Sequence, residues 1–136
     1  MGALRERHVV VFVDDDPGAL GALERLLRRE PYEILCTARP EEALDWIERR
    51  PVSLIVADQR MPGMPGTELL DEVWRRRPST ARVVLTGYPE SVVRWPGTGS
   101  AVQQTWIKPW DDEGMRRTIR RILRERDLEE TELEAE

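Results

Sequence analysis

Residues 11–20 read VFVDDDPGAL, an apolar run that ends in three adjacent aspartates and a Pro-Gly pair. Neighbouring carboxylates repel one another, so their position at the end of a buried strand requires something that compensates the charge. One explanation is a polar turn in which an aspartate caps the next helix, since Asp is favoured at that position. The other explanation is a cation site. The rest of the sequence decides between the two.

Short apolar runs alternate with helical patterns along the chain. Runs such as VVVFV and LIVA are continuously apolar, which is typical of parallel strands covered by helices on both faces. Pro40 opens the second helical segment, and the third is predicted to pack Leu69, Leu70, Val73 and Trp74 inward. This order predicts a doubly wound α/β fold with right-handed crossovers. The predicted strands are residues 8–13, 32–37, 52–57, 82–86 and 104–107.

Two segments fit the alternating pattern poorly. Pro96, Gly97 and Gly99 lie between the fourth and fifth strands, so we expect the fourth helix to be short or irregular. Residues 127–136 are strongly charged and carry no apolar stripe. We therefore assign residues 1–126 to one domain and residues 127–136 to a charged C-terminal tail or linker.

The composition argues against several classes of function. A net charge of −5 is unfavourable for an overall attraction to nucleic acid or anionic lipid. Cys36 is the only cysteine, which excludes an internal disulfide and a cysteine-based zinc cluster. His8 is the only histidine, so histidine-dependent acid–base chemistry has almost no support. With no apolar run of roughly 20 residues and no secretory signal pattern, we expect a cytoplasmic protein without membrane contact.

Polar side chains follow the ends of four predicted strands. Strand one runs into residues 14–16, strand three into Asp58, strand four into Thr86 and strand five into Lys108, the only lysine. Ligands of open parallel sheets bind at the carboxyl ends of strands, so we expect these groups to share a pocket. A set of carboxylate oxygens with water suits Mg²⁺. A carboxylate beside Mg²⁺ can attack a phosphoryl group, which a hydroxyl and an ammonium then hold.

At these positions the chain resembles a known family. The segments VFVDDDP, IVADQRMPGMPG, VVLTG and WIKPW resemble the receiver domain of two-component response regulators, in order and over nearly the whole chain. The resemblance implies a flavodoxin-like, five-stranded parallel sheet of order 2-1-3-4-5. It also implies a Mg²⁺ site made by Asp14, Asp15, Asp58 and the backbone carbonyl of Arg60. In that site Asp15 is the direct ligand and Asp14 acts through water, while Asp16 lies outside and is free to cap the helix.

The same resemblance implies the roles of the phosphoryl-binding residues. Asp58 is the implied phosphoacceptor, Thr86 the switch hydroxyl and Lys108 the amine that binds the phosphate. Trp106 corresponds to an aromatic residue that turns inward on activation in the family, and plain packing is the alternative. The bond between Lys108 and Pro109 corresponds to a peptide that is commonly cis in the family.

Two bulky residues flank the implied acceptor site. Arg60 follows Asp58 by two positions and Tyr88 follows Thr86 by two positions, which in the family are the positions that tune hydrolysis of the phosphoryl group. Their bulk predicts slow dephosphorylation, because both side chains can shield the acyl phosphate from water.

The implied function is a phosphorylation switch and not an enzyme. A sensor histidine kinase or a phosphotransfer protein supplies the phosphoryl group, and the altered surface signals to a downstream effector or a fused output domain. A homodimer is an option, and we expect no direct binding of nucleic acid. Two rivals stay open: a Mg²⁺-dependent phosphohydrolase with an aspartate nucleophile, and a protein-interaction domain that is never phosphorylated.

Overall fold

The computed structural model describes residues 8–90 and 101–135. Within these ranges the chain forms a five-stranded parallel sheet in the order β2-β1-β3-β4-β5. The predicted fold class and strand order are therefore confirmed. The strands are β1 Val9–Val13, β2 Glu33–Thr37, β3 Val52–Asp58, β4 Ala81–Thr86 and β5 Gln104–Ile107. The helices are α1 Pro17–Leu27, α2 Pro40–Arg49, α3 Gly66–Arg76 and α4 Asp112–Ala135.

The alternation of side chains along β1 divides the interior into two apolar layers. Val9, Val11 and Val13 face one layer, and Val10 and Phe12 face the other. Helices cover both layers, which explains why β1 is apolar at every position. The first layer is closed by α2 and α3 (Ala43, Leu44, Ile47, Leu69, Leu70, Val73), and the second by α1 and α4 (Leu23, Leu27, Ile119, Leu123).

The start of α1 accounts for one of the three adjacent aspartates. Pro17 occupies the first turn of α1, and the side chain of Asp16 accepts a hydrogen bond from the backbone N–H of Gly18 at 2.9 Å. Asp16 is thus a helix cap, which satisfies a backbone donor that has no partner within the helix. Its two neighbours, Asp14 and Asp15, need another explanation.

A buried histidine ties α4 to the sheet. His8 is 2% exposed, with Nδ1 2.6 Å from Ser53 Oγ and Nε2 2.9 Å from Asp127 Oδ1. Asp127 belongs to the segment predicted to be a tail, and α4 passes through the boundary at residues 126 and 127 without a break. Residues 127–135 are therefore helical, while the domain boundary itself stays a prediction.

The helices agree with the predicted patterns except at one residue. In α3, Leu69, Leu70 and Val73 are buried, but Trp74 is 42% exposed because it lies one position beyond the inward-facing stripe. The short or irregular fourth helix was expected between β4 and β5, and residues 91–100 of that connection lie outside the described residues. Of the helices within the described ranges, none combines the length and the hydropathy needed to cross a membrane.

Arg82 is a charged residue in the interior of β4. Its guanidinium donates hydrogen bonds to the backbone carbonyls of Ala101, Pro78 and Thr80 at 2.8, 2.9 and 2.7 Å. Burial lowers the pKa of Arg82, and the three carbonyls compensate part of the lost hydration. These hydrogen bonds connect the turn before β4 to the segment that precedes β5. They therefore help to position β4 and β5, two of the strands whose carboxyl ends form the candidate site.

Candidate functional site

The carboxyl ends of β1, β3, β4 and β5 meet at one edge of the sheet. Asp58 ends β3 and pairs in register with Leu85 of β4. Thr86 ends β4, and its carbonyl accepts a hydrogen bond from the backbone N–H of Lys108 at 2.9 Å. Asp14 directly follows β1. The polar residues predicted to share a pocket thus lie at the carboxyl ends of four strands of the same sheet.

Three carboxylates at this edge form an acid cluster, made of Asp14, Asp15 and Asp58. Each offers one oxygen, and these oxygens all lie within 4.8 Å of one another. Asp14 and Asp58 are 2% and 7% exposed, while Asp15 faces solvent. Asp14 Oδ1 also accepts the backbone N–H of Asp16 at 3.0 Å, which fixes the orientation of its carboxylate.

The ammonium of Lys108 lies between the two buried carboxylates. Its Nζ is 2.8 Å from Asp14 Oδ2 and 3.1 Å from Asp58 Oδ1. Burial by itself lowers the pKa of Lys108, but the hydrogen bonds and charges of Asp14 and Asp58 outweigh it and raise the pKa overall. The amine therefore stays protonated, and it is exposed enough to meet an incoming anion.

Asp58 is a weaker acid than an ordinary aspartate. Burial raises the pKa of Asp58, the hydrogen bond from Lys108 opposes this rise, and the nearby charges of Asp14 and Asp15 add to it. The ionised form of Asp58 is therefore costly, although Lys108 lies beside it. Additional positive charge at the acid cluster would favour the ionised form of Asp58.

The donor set of the acid cluster fits Mg²⁺. The cluster offers carboxylate oxygens only, which a hard divalent cation prefers over nitrogen or sulfur ligands. Three carboxylates leave coordination positions for water and for a phosphoryl oxygen, and Mg²⁺ usually keeps several such ligands. The carbonyl of Arg60 as a further ligand, and the division between direct and water-mediated contacts, stay predictions.

Thr86 and Trp106, the two residues predicted to change conformation on phosphorylation, lie on the neighbouring strands β4 and β5. Thr86 is buried, and its Oγ1 accepts the backbone N–H of Tyr88 at 2.9 Å, which holds the turn after β4. Trp106 is partly buried against the layer between the sheet and α4, and its Nε1 donates to Gln104 Oε1 at 2.9 Å. Their roles in switching stay predictions.

Arg60 and Tyr88 contact each other beside the acid cluster. The guanidinium carbon of Arg60 lies 3.7 Å from the centre of the Tyr88 ring, which is a cation–π contact. The stack joins the loop after β3 to the turn after β4. The bond between Lys108 and Pro109 is cis, as expected.

Two residues that hold the loop after Asp58 were not predicted from the sequence. Gln59 is buried, its backbone carbonyl accepts the N–H of Gly66 at 3.1 Å, and its Oε1 accepts the N–H of Thr67 at 2.9 Å. A Cβ at position 66 would lie 2.4 Å from the carbonyl oxygen of Asp58, so only glycine fits there. The glycines of the MPGMPG segment were the available signal for such a close approach.

Fold and site together define a class: a doubly wound α/β domain whose strand ends collect an acid cluster, a threonine and a lysine. The family model described as "Response regulator receiver domain" matches residues 10–120. The chain belongs to the response regulator receiver family, and the resemblance drawn from the sequence is confirmed. The domain therefore has a phosphoacceptor signalling role.

Known proteins similar to this chain include regulators and solved receiver domains. Hydrogenase transcriptional regulatory protein HoxA from Cupriavidus necator is 36% identical over 121 residues, which are 88% of this chain and 25% of HoxA. The chain thus spans about a quarter of the length of HoxA and of Transcriptional regulatory protein GlrR from Escherichia coli K12.

Solved structures agree with the fold. The CheY-like receiver domain from Methanospirillum hungatei superposes with a TM-score of 0.79 at 29% identity, over 90% of this chain and 98% of that one. Response regulator protein TrrA from Thermotoga maritima, solved in complex with Mg²⁺–BeF, has a TM-score of 0.74 at 24% identity, over 85% of this chain and 98% of that one.

Proposed function

We propose that Asp58 is the phosphoacceptor of this receiver domain and that a sensor histidine kinase or a phosphotransfer protein phosphorylates it. The observation that carries the proposal is the position of the Lys108 ammonium, 2.8 Å from Asp14 and 3.1 Å from Asp58. A carboxylate nucleophile, a cation for the phosphoryl oxygens and the acid cluster are thereby held in one pocket.

The transfer is a displacement at phosphorus. A carboxylate oxygen of Asp58 forms the new P–O bond as the P–N bond to the phosphohistidine of the donor protein breaks, and the imidazole keeps that electron pair. Lys108 holds the phosphoryl oxygens, because its protonated amine already lies beside Asp58. Positioning and charge neutralisation supply most of the catalysis in such transfers.

Mg²⁺ would be held by the acid cluster, with the carbonyl of Arg60 as a further ligand by correspondence with the family. When bound, the ion supplies positive charge that neutralises the carboxylates and the phosphoryl oxygens. TrrA, which has the same fold, forms a complex with Mg²⁺–BeF, and this supports magnesium as the ion.

Phosphorylation is expected to change the contacts of Thr86. Its hydroxyl oxygen now accepts the N–H of Tyr88, and its O–H is the donor that phosphoryl oxygens on Asp58 would attract. A shift of Thr86 alters the turn at Tyr88 and the contact of the Tyr88 ring with Arg60. We infer that the side chain of Trp106, on the adjacent strand, then changes its orientation as well. The altered surface is then read by a downstream effector or a fused output domain. HoxA is named a transcriptional regulatory protein, which supports an output in gene control.

The test is phosphorylation by a small donor in the absence of any partner. Acetyl phosphate or beryllofluoride with Mg²⁺ is expected to modify the wild-type chain and the Asp45→Asn variant but not the Asp58→Asn variant. Asp45 lies on the surface of α2 and pairs with Arg49, so it controls for the loss of a carboxylate elsewhere. Intact-mass measurement reads the acyl phosphate formed from acetyl phosphate, and fluorine NMR reads the beryllofluoride complex. Equal modification of the wild type and the Asp58→Asn variant would falsify the proposal.

We infer further that the domain signals without enzymatic turnover. The residues after Asp58 are not acids, and the side chains of Gln59 and Arg60 are engaged in a helix cap and in a ring stack. A phosphohydrolase would need a general acid there, so we expect no turnover of p-nitrophenyl phosphate. The interaction-domain rival predicts neither labelling nor a Mg²⁺ effect.

The location and the remaining partners are also proposals. We place the domain in the cytoplasm, where histidine kinases present their phosphoryl groups. The net charge of −5 favours contacts with proteins over direct contacts with nucleic acid or membrane.

A further inference from the structure

A cavity outside the candidate site lies between α4 and the amino ends of β4 and β5. Its volume is about 370 Å³, within the range of small-molecule sites, which is about 300–1,000 Å³. The acid cluster lies at the opposite, carboxyl ends of the strands, so the cavity is separate from the proposed phosphorylation. Part of its wall is apolar, and this part consists of Pro78, Ala81, Val83 and Ile122.

Arg126 supplies a positive charge to the wall of this cavity. Its Nε is buried, and within the described part of the chain no group accepts a hydrogen bond from it. Burial lowers the pKa of Arg126, and the charges of Glu130 and Glu129 oppose this effect. The buried Arg82, by contrast, donates to three backbone carbonyls. An unpaired buried donor is costly, and an acceptor brought into the cavity by a ligand would satisfy it.

Two glutamine side chains add N–H donors to the same cavity. Oε1 of Gln103 accepts the backbone N–H of Arg82 at 2.8 Å, and Oε1 of Gln104 accepts the indole N–H of Trp106 at 2.9 Å. These bonds orient the amides at their oxygens, so the NH₂ groups of both glutamines are the ends that can donate to a ligand. A guanidinium beside amide donors suits a carboxylate, because the planar guanidinium can bind both carboxylate oxygens together.

The exposed carboxylates of Glu129 and Glu130 also line the cavity. They would repel an anion that carries no positive charge of its own, such as inorganic phosphate, and they would attract an ammonium group. The remaining wall, at Val83 and Ile122, suits an apolar group. A ligand that satisfies all three parts of the cavity therefore carries a carboxylate, an ammonium group and an apolar body.

We propose that this cavity binds a free α-amino acid with an aliphatic side chain. The carboxylate contacts Arg126, the ammonium group contacts Glu129 and Glu130, and the side chain packs on the apolar wall. Because Gln104 also accepts the indole N–H of Trp106, binding is expected to change the tryptophan fluorescence. The proposal goes beyond phosphorylation and does not depend on it, since no residue of the acid cluster lines the cavity.

Isothermal titration calorimetry with three related ligands tests the chemistry of the cavity. L-Leucine is expected to bind at least about tenfold more tightly than N-acetyl-leucine, which lacks the ammonium group, and than leucinamide, which lacks the carboxylate. The double variant Glu129→Gln with Glu130→Gln is expected to lose the preference for leucine over N-acetyl-leucine, because the charges that attract the ammonium group are gone.

The variant Arg126→Leu separates a binding role from a structural one. It is expected to weaken leucine binding at least about tenfold, because the partner of the carboxylate is lost. It is also expected to raise the urea concentration at the midpoint of unfolding without ligand, because an enclosed donor that has no partner is removed. Arg124→Leu, the same change at an exposed position of α4, is expected to alter neither quantity.

Three outcomes would overturn the proposal. The first is the absence of saturable binding of leucine to the wild type up to about 20 mM, measured by calorimetry and by tryptophan fluorescence. The second is equal affinity for leucine, N-acetyl-leucine and leucinamide, which would reduce the cavity to a non-selective apolar surface. The third is an Arg126→Leu chain that binds leucine as tightly as the wild type or unfolds at lower urea, which would show that Arg126 supports the fold and not a ligand.

Discussion

Replacement of Gly66 by alanine is predicted to displace the loop that carries Asp58. An ideal Cβ at position 66 would lie 2.4 Å from the carbonyl oxygen of Asp58, 2.9 Å from its carbonyl carbon and 3.1 Å from Cα of Gln59. All three are backbone atoms, so no side chain can rotate away. An ordinary contact begins at 3.4 Å. The start of α3 and the end of β3 must therefore separate by about 1 Å.

The cost of this separation follows from the contacts it disturbs. Overpacking of a rigid site costs about 1–3 kcal/mol. The hydrogen bonds from the N–H groups of Gly66 and Thr67 to Gln59, now 3.1 and 2.9 Å long, also weaken. At about 1 kcal/mol for a lost hydrogen bond, we expect the free energy of unfolding to fall by about 2–4 kcal/mol. A shift of about 1 Å at Asp58 is expected to slow its phosphorylation on the order of a hundredfold.

Gly21→Ala provides a matched control for the same chemical change. A Cβ at Gly21, inside α1, approaches only Arg25 Nη1, the mobile end of a side chain, at 3.3 Å. Alanine there is expected to stabilise the chain by about 0.5–1 kcal/mol, because glycine is a poor helix former. Urea unfolding followed by tryptophan fluorescence measures both variants, and acetyl phosphate labelling measures the rate. A Gly66→Ala chain within about 0.5 kcal/mol of the wild type and labelled at the same rate would refute the reasoning.

Three further predictions concern titration and the lifetime of the phosphoryl group. Burial raises the pKa of the Cys36 thiol to about 12, and the charge of Glu24 adds to the effect. Iodoacetamide is therefore expected to react far more slowly with Cys36 in the folded chain than in the urea-unfolded chain at pH 8. Equal rates would contradict this prediction. Because burial also raises the pKa of Asp58, the folded state binds this proton more tightly than the unfolded chain does, and stability is lost as pH rises from the ordinary aspartate range through the raised pKa. In EDTA, urea unfolding should therefore show that Asp58→Asn raises the free energy of unfolding more at pH 7 than at pH 4. An equal gain at both pH values would exclude a contribution of Asp58 protonation to stability. Replacing the stacked pair, by Arg60→Asn with Tyr88→Glu, should shorten the lifetime of the acyl phosphate in a dephosphorylation time course, and slower decay than in the wild type would count against shielding.

The site could be predicted from the sequence because of one geometric property of parallel sheets. The carboxyl ends of its strands lie at the same edge, so residues as distant in sequence as Asp14 and Lys108 meet there. Continuous apolar runs identified the strands, and the first polar residue after each run identified the groups at that edge. Among the polar residues at the strand ends, Asp16 does not belong to the acid cluster, because its side chain caps the start of α1.

Other contacts depend on tertiary neighbours that no local pattern specifies. Arg82 reads as a surface charge at the start of a strand, yet three backbone carbonyls hold it in the interior. Trp74 continues an apolar run but is turned outward by the helical period. The contact between Arg60 and Tyr88 depends on how two loops approach each other. The sequence showed only that each residue lies two positions after a site residue, not that the two side chains touch.

The buried histidine that precedes β1 has a practical consequence for experiments with this chain. His8 is the only histidine, and its two ring nitrogens contact β3 and α4. Its imidazole protons therefore give a single set of aromatic NMR resonances that reports whether α4 is seated on the sheet, without labels or substitutions. In a mixture with a phosphohistidine donor, any acid-labile imidazole phosphate signal belongs to the donor, because the receiver's one ring is enclosed at 2% exposure.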